Sequence, residues 1–119
     1  MKHEQLDVCD HDRATVLTLR GQFIGGDETD ALRTALAACN KDAGTTVVLD
    51  MAGVTYVNSS CIGVLLAAHA HASRKQGSIV IAGADDAVRD VFTITKMHLV
   101  FRMYETLQDA LSTSTNNES

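Results

Sequence analysis

A chain of 119 residues suits one small domain, and at 45% hydrophobic and 21% charged it has enough apolar material for a core and is not of disordered type. A formal charge of -5, with 4% aromatics and no tryptophan, argues against nucleic acid as a partner, because phosphate backbones need a basic surface and bases need stacking rings. No apolar run approaches a bilayer span and Met1-Lys2-His3-Glu4-Gln5 lacks the apolar centre of a signal peptide, so a membrane segment is not expected and the cytoplasm is the expected setting.

Residues 6–9 and 14–20 read as two strands joined by a polar turn, Asp10-His11-Asp12-Arg13, and so as a hairpin at one side of a sheet. Gly21 ends the second strand. Phe23-Ile24-Gly25-Gly26 leads into a helix with Asp27 and Asp30 in its first turn, where the helix dipole favours acids. Leu32, Ala35, Leu36 and Cys39 recur at helical spacing and mark the inward face, and Asn40 to Gly44 end the helix. Thr45 to Met51, with Val47, Val48 and Leu49 in succession, predicts a strand covered on both faces. Gly53 separates it from a second short apolar piece, Val54 to Val57.

Asn58-Ser59-Ser60 then opens a helix running to about Lys75. Ile62, Leu65, Leu66 and His69 form its expected inner stripe, widened by Val64 and Ala68, while Gly63, Ala67 and Ala70 are expected to keep it slim against the sheet. Gln76-Gly77 closes it and Ser78 to Ala82 is another buried strand, so strand, helix and strand form a right-handed parallel crossover. Asp85 or Asp86 caps a third helix with Val88, Val91, Phe92 and Thr95 on one face. Leu99 to Met103 reads as the last strand. Thr106-Leu107-Gln108-Asp109 has capping-box spacing and begins a short helix through Leu111. The domain is therefore expected over residues 1–111, with 112–119 a disordered polar tail.

Two hydroxyls at a helix N-terminus lie among backbone N–H groups without intrahelical partners, at the positive end of the dipole. A serine there either caps the helix or is a place to carry phosphate. Cys9, Cys39 and Cys61 are odd in number and contain no Cys-x-x-Cys pair, so neither a disulfide framework nor a zinc site is expected. Cys39 and Cys61 read as packed, inert thiols. His69 and His71, two apart on one helix, point to different faces and do not chelate one metal; His3, His11 and His98 are scattered. Gly25-Gly26 lacks the pattern of a phosphate loop and reads as a turn, and Asp27-Glu28 and Asp85-Asp86 as helix-start acids. No metal, cofactor or catalytic residue is expected, and the chain reads as no enzyme.

The stretch from Val47 to Leu66 resembles the signature of the STAS domain, in particular the stand-alone bacterial anti-sigma factor antagonists. There an apolar strand is followed by Asp-Ser-Ser/Thr-Gly-Leu/Ile-Gly and an apolar helix; here the motif reads Asn58-Ser59-Ser60-Cys61-Ile62-Gly63, with Asn58 and Cys61 in place of Asp and Gly. Ala84 to Tyr104 resembles the family's later helix and strand, including Val88-Arg89, Phe92, Thr95 and Phe101. The resemblance implies an α/β STAS-like fold with a mixed sheet and helices mainly on one side. It implies a non-enzymatic, partner-switching regulator of transcription, bound by a serine kinase of the anti-sigma type, phosphorylated at Ser59 (or at Ser60) and reset by a serine phosphatase. Asn58, Ser59, Ser60, Cys61 and Gly63 would form the partner-binding surface. The alternative is a STAS scaffold or adaptor that associates with other STAS proteins in a stress-sensing assembly, motivated by Asn58 and Cys61; small enzymes on similar folds find no support in any motif of the chain.

Overall fold

The computed structural model describes residues 3–11, 14–39 and 42–115, with side chains through 112. Strand β1 (Leu6–His11) and strand β2 (Ala14–Phe23) form an antiparallel hairpin, followed by helix α1 (Asp27–Cys39), strand β3 (Thr46–Val57) and helix α2 (Ser59–Arg74). Strand β4 (Ser78–Ala82), helix α3 (Asp86–Ile94), a short 3-10 turn (Met97–Leu99), strand β5 (Arg102–Tyr104) and helix α4 (Leu107–Thr115) complete the chain. The sheet runs β1-β2-β3-β4-β5, antiparallel between β1 and β2 and parallel at the other three joins. Among the described residues no helix is long and apolar enough to cross a membrane.

Alternation along the strands divides the interior into two layers. Leu17, Leu19, Val47, Leu49, Met51, Ile79 and Ile81 face one side, where Leu32 and Leu36 of α1, Leu65 of α2, and Val88 and Phe92 of α3 cover them. Val16, Val48, Val80 and Ala82 face the other side, against Ala110 of α4 and its partly buried neighbours Leu107 and Leu111. Three helices thus cover one face and α4 the other, the mixed-sheet arrangement expected from the sequence.

Several expectations are corrected in detail. β3 is one continuous strand through Gly53, because β2 pairs with it from Ala14↔Thr46 to Phe23↔Val57 and absorbs the irregularity in two register shifts. β2 therefore runs past Gly21, which takes a φ of 84° at the second shift. The expected inner stripe of α2 holds at Ile62, Val64 and Leu65, which are buried, with Cys61 and Ala72 added to it; it is corrected at Leu66, which is 42% exposed, and Gly63, Ala67 and Ala70 are exposed and do not slim the inner face. In α3, Thr95 is exposed and its hydroxyl donates to the Val91 carbonyl at 2.7 Å instead of joining the core. The last strand starts later than expected, since Met97–Leu99 forms the 3-10 turn after Lys96, whose φ is 65°. α4 continues beyond Leu111 to Thr115, and the Thr106 hydroxyl accepts from the Asp109 N–H at 3.0 Å as the capping spacing required. Asp10 and His11 belong to β1; the rest of the expected turn (Asp12, Arg13), Asn40, and residues 116–119 of the expected tail lie outside the described residues.

Candidate functional site

Adjacent parallel strands bring the loops at their carboxyl ends together, which is where ligands and partners of open α/β sheets meet the protein. The loop after β2 and the start of α2 after β3 meet in this way. The Asn58 N–H donates to the Phe23 carbonyl at 3.2 Å, extending the β2–β3 ladder by one step to the helix head. Asn58 itself is extended (φ -118°, ψ -175°), and its side-chain oxygen accepts from the Ser60 N–H at 3.0 Å and the Cys61 N–H at 3.2 Å. Asn58 is thus the N-cap of α2, and neither serine is needed for that task.

Ser59 and Ser60 are both exposed, and neither hydroxyl makes a hydrogen bond to the described residues. They differ in surroundings. Ser60 lies against the loop after β2: a side-chain carbon on Gly25 would come within 3.2 Å of its Cβ and Oγ. Gly25 has a φ of 92°, so both its backbone and its neighbour favour the absence of a side chain. Ile24, beside it, is 47% exposed and gives the rim an apolar element.

The loop after β2 is itself held to the first turn of α1 by a group that the sequence disclosed only as a helix-start acid. Glu28 is buried, and its Oε2 accepts from the Ile24 N–H at 2.7 Å, the Gly26 N–H at 3.0 Å and the Thr29 hydroxyl at 3.0 Å. Thr29 Oγ1 in turn accepts from the Gly25 N–H at 2.9 Å, so the Gly-Gly turn is held by side chains from the first turn of α1. Burial alone would raise the Glu28 pKa; the backbone N–H groups of Ile24, Glu28 and Gly26 and the Thr29 hydroxyl outweigh it and bring the value down from 4.5 to about 2. The available signal was an acid at the second helical position directly after a glycine turn.

Cys61 is fully buried in the core, so the expectation that it contributes to a partner-binding surface is corrected: its side chain cannot be touched from outside. Burial and the nearby Glu28 charge push its thiol up to about 12, which keeps it protonated and unreactive. The surface portion of the motif is Asn58, Ser59, Ser60 and Gly63. Asn58 and Cys61, the two departures from the antagonist motif, are accounted for by a cap and a core position. Elsewhere, half-buried His69 meets the Phe101 ring edge-on with centroids 5.3 Å apart while His71 is exposed, and the described residues contain no group of three or more metal-ligating side chains.

Asn58→Ala should cost about 1 kcal/mol through loss of the cap. Asn58→Asp keeps the acceptor and adds charge at the positive helix end, and should match or exceed the wild type by up to about 1 kcal/mol. Urea unfolding at neutral pH measures both; an unaffected Ala variant would show that the cap carries no weight.

A sequence profile of the family described as "Mlab, STAS domain" matches residues 7–113. The fold is similar to that of an anti-sigma factor antagonist from Mycobacterium paratuberculosis, with 26% identity, 93% of each chain covered and a TM-score of 0.80. It is also similar to an anti-sigma-factor antagonist (STAS) domain protein from Planctomyces limnophilus (21% identity, 93% of this chain and 98% of that chain, TM-score 0.82). A third similar structure is the Bacillus cell fate determinant SpoIIAA in its phosphorylated form, at 17% identity, 90% and 96% coverage and a TM-score of 0.72. At their lower identities the last two speak for the fold alone. With the profile spanning nearly all of the chain and the same architecture in these neighbours, the chain belongs to the STAS domain family.

Proposed function

We infer that this protein is an anti-sigma factor antagonist that works by binding and is not itself an enzyme. Its unmodified form binds a serine kinase of the anti-sigma type in the cytoplasm; the kinase phosphorylates Ser59, the complex dissociates, and a serine phosphatase restores the hydroxyl. The observation that carries this reading is the exposed, uncommitted Ser59 hydroxyl at the head of α2, on a helix already capped by Asn58. Phosphate adds about -1.5 to -2 charge there. The helix end tolerates that charge, whereas a docked surface shaped for a neutral hydroxyl does not, and this difference in affinity is what a switch requires.

Ser59 is preferred over Ser60 because Ser60 lies against the loop after β2, where only the missing side chain of Gly25 leaves it room. Incubation with candidate anti-sigma kinases and ATP, followed by intact-mass measurement and peptide mapping, should place one phosphate on Ser59. In pull-downs Ser59→Ala should retain the kinase and Ser59→Asp should lose at least about tenfold in recovery, equivalent to about 1.4 kcal/mol. Equal recovery of wild type, Ala and Asp forms with no phosphate on Ser59 would refute the switch.

A further inference from the structure

β1 is an edge strand, bonded to β2 on one side only. The Arg20 N–H donates to the Gln5 carbonyl at 2.8 Å in the β1–β2 register, while the Gln5 N–H donates to His3 Nδ1 at 3.1 Å; by alternation Asp7, Cys9 and His11 use their backbone groups on β2. Leu6, Val8 and Asp10 direct theirs outward. The Leu6 N–H is taken by the His3 carbonyl at 3.0 Å, which leaves Val8 and Asp10 as the residues whose outward groups meet no backbone partner among the described residues; the Asp10 carbonyl has only the Cys9 thiol, at 3.9 Å. An edge of this kind is a template for another strand.

We propose that this edge is a self-association surface, and that its partner is the β1 strand of a second copy of this chain, paired antiparallel with Cys9 opposite Cys9. The register follows from the outward groups. Two-fold pairing must set Val8 or Asp10 against one of these same residues. Asp10 opposite Asp10 would confront two carboxylates, and Val8 opposite Val8 would set Leu6, whose N–H is occupied, against Asp10. Val8 opposite Asp10 uses all four of these backbone groups on each copy, the Asp10 carbonyl exchanging its weak thiol contact for an N–H. It also brings Asp7 of each copy, whose carboxylate accepts from Arg20 at 2.9 Å, opposite His11 of the other, an acceptor facing an imidazole N–H donor.

In that register Cys9 occupies a non-hydrogen-bonded position, where opposed Cα atoms lie about 4.5 Å apart, inside the roughly 4.4–6.8 Å that a disulfide spans. Cys9 is exposed, unlike half-buried Cys39 and buried Cys61, and its Sγ is 3.9 Å from His11 Nε2. A disulfide can therefore lock the pair when an oxidant is supplied. With oxidised glutathione, one Cys9 thiolate attacks its disulfide and releases one glutathione thiolate; the second Cys9 thiolate then attacks the mixed disulfide and releases the other. Two protein thiols are oxidised and one glutathione disulfide is reduced to two thiols.

The test treats the full chain with oxidised glutathione and follows the products by non-reducing electrophoresis and peptide mapping, with sedimentation of the reduced protein at several concentrations. The expected result is a covalent homodimer linked Cys9 to Cys9, and a monomer–dimer equilibrium in the reduced state. Val8→Pro removes an N–H that points away from β2, so the monomer keeps its sheet while pairing is blocked; covalent dimer should form at least tenfold more slowly. His11→Asp, an exposed change that sets a carboxylate against Asp7 of the other copy, should weaken the reduced dimer in sedimentation and keeps the test decisive if the proline variant fails to fold. A reduced protein that stays monomeric at every concentration, or a Cys9 cross-link that forms equally fast in wild type and both variants, would overturn the proposal.

Discussion

Glu28→Ala should lower stability at neutral pH by about 3 kcal/mol, because removing the carboxylate strands backbone donors that have no other partner beneath the loop. The Ile24 and Gly26 N–H groups and the Thr29 hydroxyl converge on one oxygen of this side chain. The effect should depend on pH in a defined direction. The carboxyl pKa in the folded protein, about 2, lies below its ordinary 4.5, so the stabilisation is complete above the ordinary value and declines as pH falls toward the folded one. Urea unfolding curves of wild type and variant should therefore keep a constant gap near neutrality and draw together between about pH 5 and 2. A gap at pH 2 as wide as that at pH 7 would assign the loss to packing instead of to the ionised carboxylate. Because the same network holds Gly25 against Ser60, the variant should also loosen the surface presented beside Ser59.

A comparable loss, again about 3 kcal/mol, is expected from Gly77→Ala, at the far end of α2. A side-chain carbon at Gly77 would stand 2.5 Å from the Thr45 carbonyl oxygen. That oxygen cannot simply withdraw, since it accepts from the Ser78 N–H at 3.0 Å, and the adjacent Gly44 N–H donates to the Lys75 carbonyl at 2.8 Å. The helix exit and the entry to β3 are thus stitched together at backbone contact. Thermal unfolding should show a fall of about 10 °C or more. The preceding position behaves in the opposite sense: Gln76 carries a φ of 62°, so Gln76→Gly removes local strain and should be neutral to mildly stabilising. A Gly77→Ala protein that melts with the wild type would mean that the two backbones separate at little cost.

The architecture was legible because its strands are short apolar runs with distinct environments. Val47, Val48 and Leu49 are all buried because the sheet is covered on both faces, and an uninterrupted run is the pattern such a strand leaves. The orientation of α2 was less legible. Apolar residues occupy so much of its circumference that periodicity alone does not fix the edges of the inner face: Ile62 and Leu65 are inside as expected, while packing adds Cys61 and leaves Leu66 out. The end of the chain misled for another reason. Phe101 reaches the core to meet Phe92, with ring centroids 6.3 Å apart, from backbone that is not in a strand, so an apolar run there did not mean pairing.

At the candidate site the positions of Ser59 and Ser60 could be read from the strand-to-helix pattern, but the division of roles could not. Which residue caps depends on where the first helical turn starts, and Asn58, Ser59 and Ser60 are all competent caps. Glu28 was hidden for a deeper reason: its partners are main-chain N–H groups whose directions depend on the positive φ of Gly25, and composition does not encode that.

The separation of capping by Asn58 from the free hydroxyl of Ser59 has a kinetic meaning. A covalent mark on that oxygen, as proposed above, would leave the Asn58 cap bonds of the helix head in place, so marking and erasure would not need to pass through any unfolding event. In the switch proposed above, the response time would be set by how fast enzymes visit and neighbours depart, and the same molecule could be reused through many cycles without being remade.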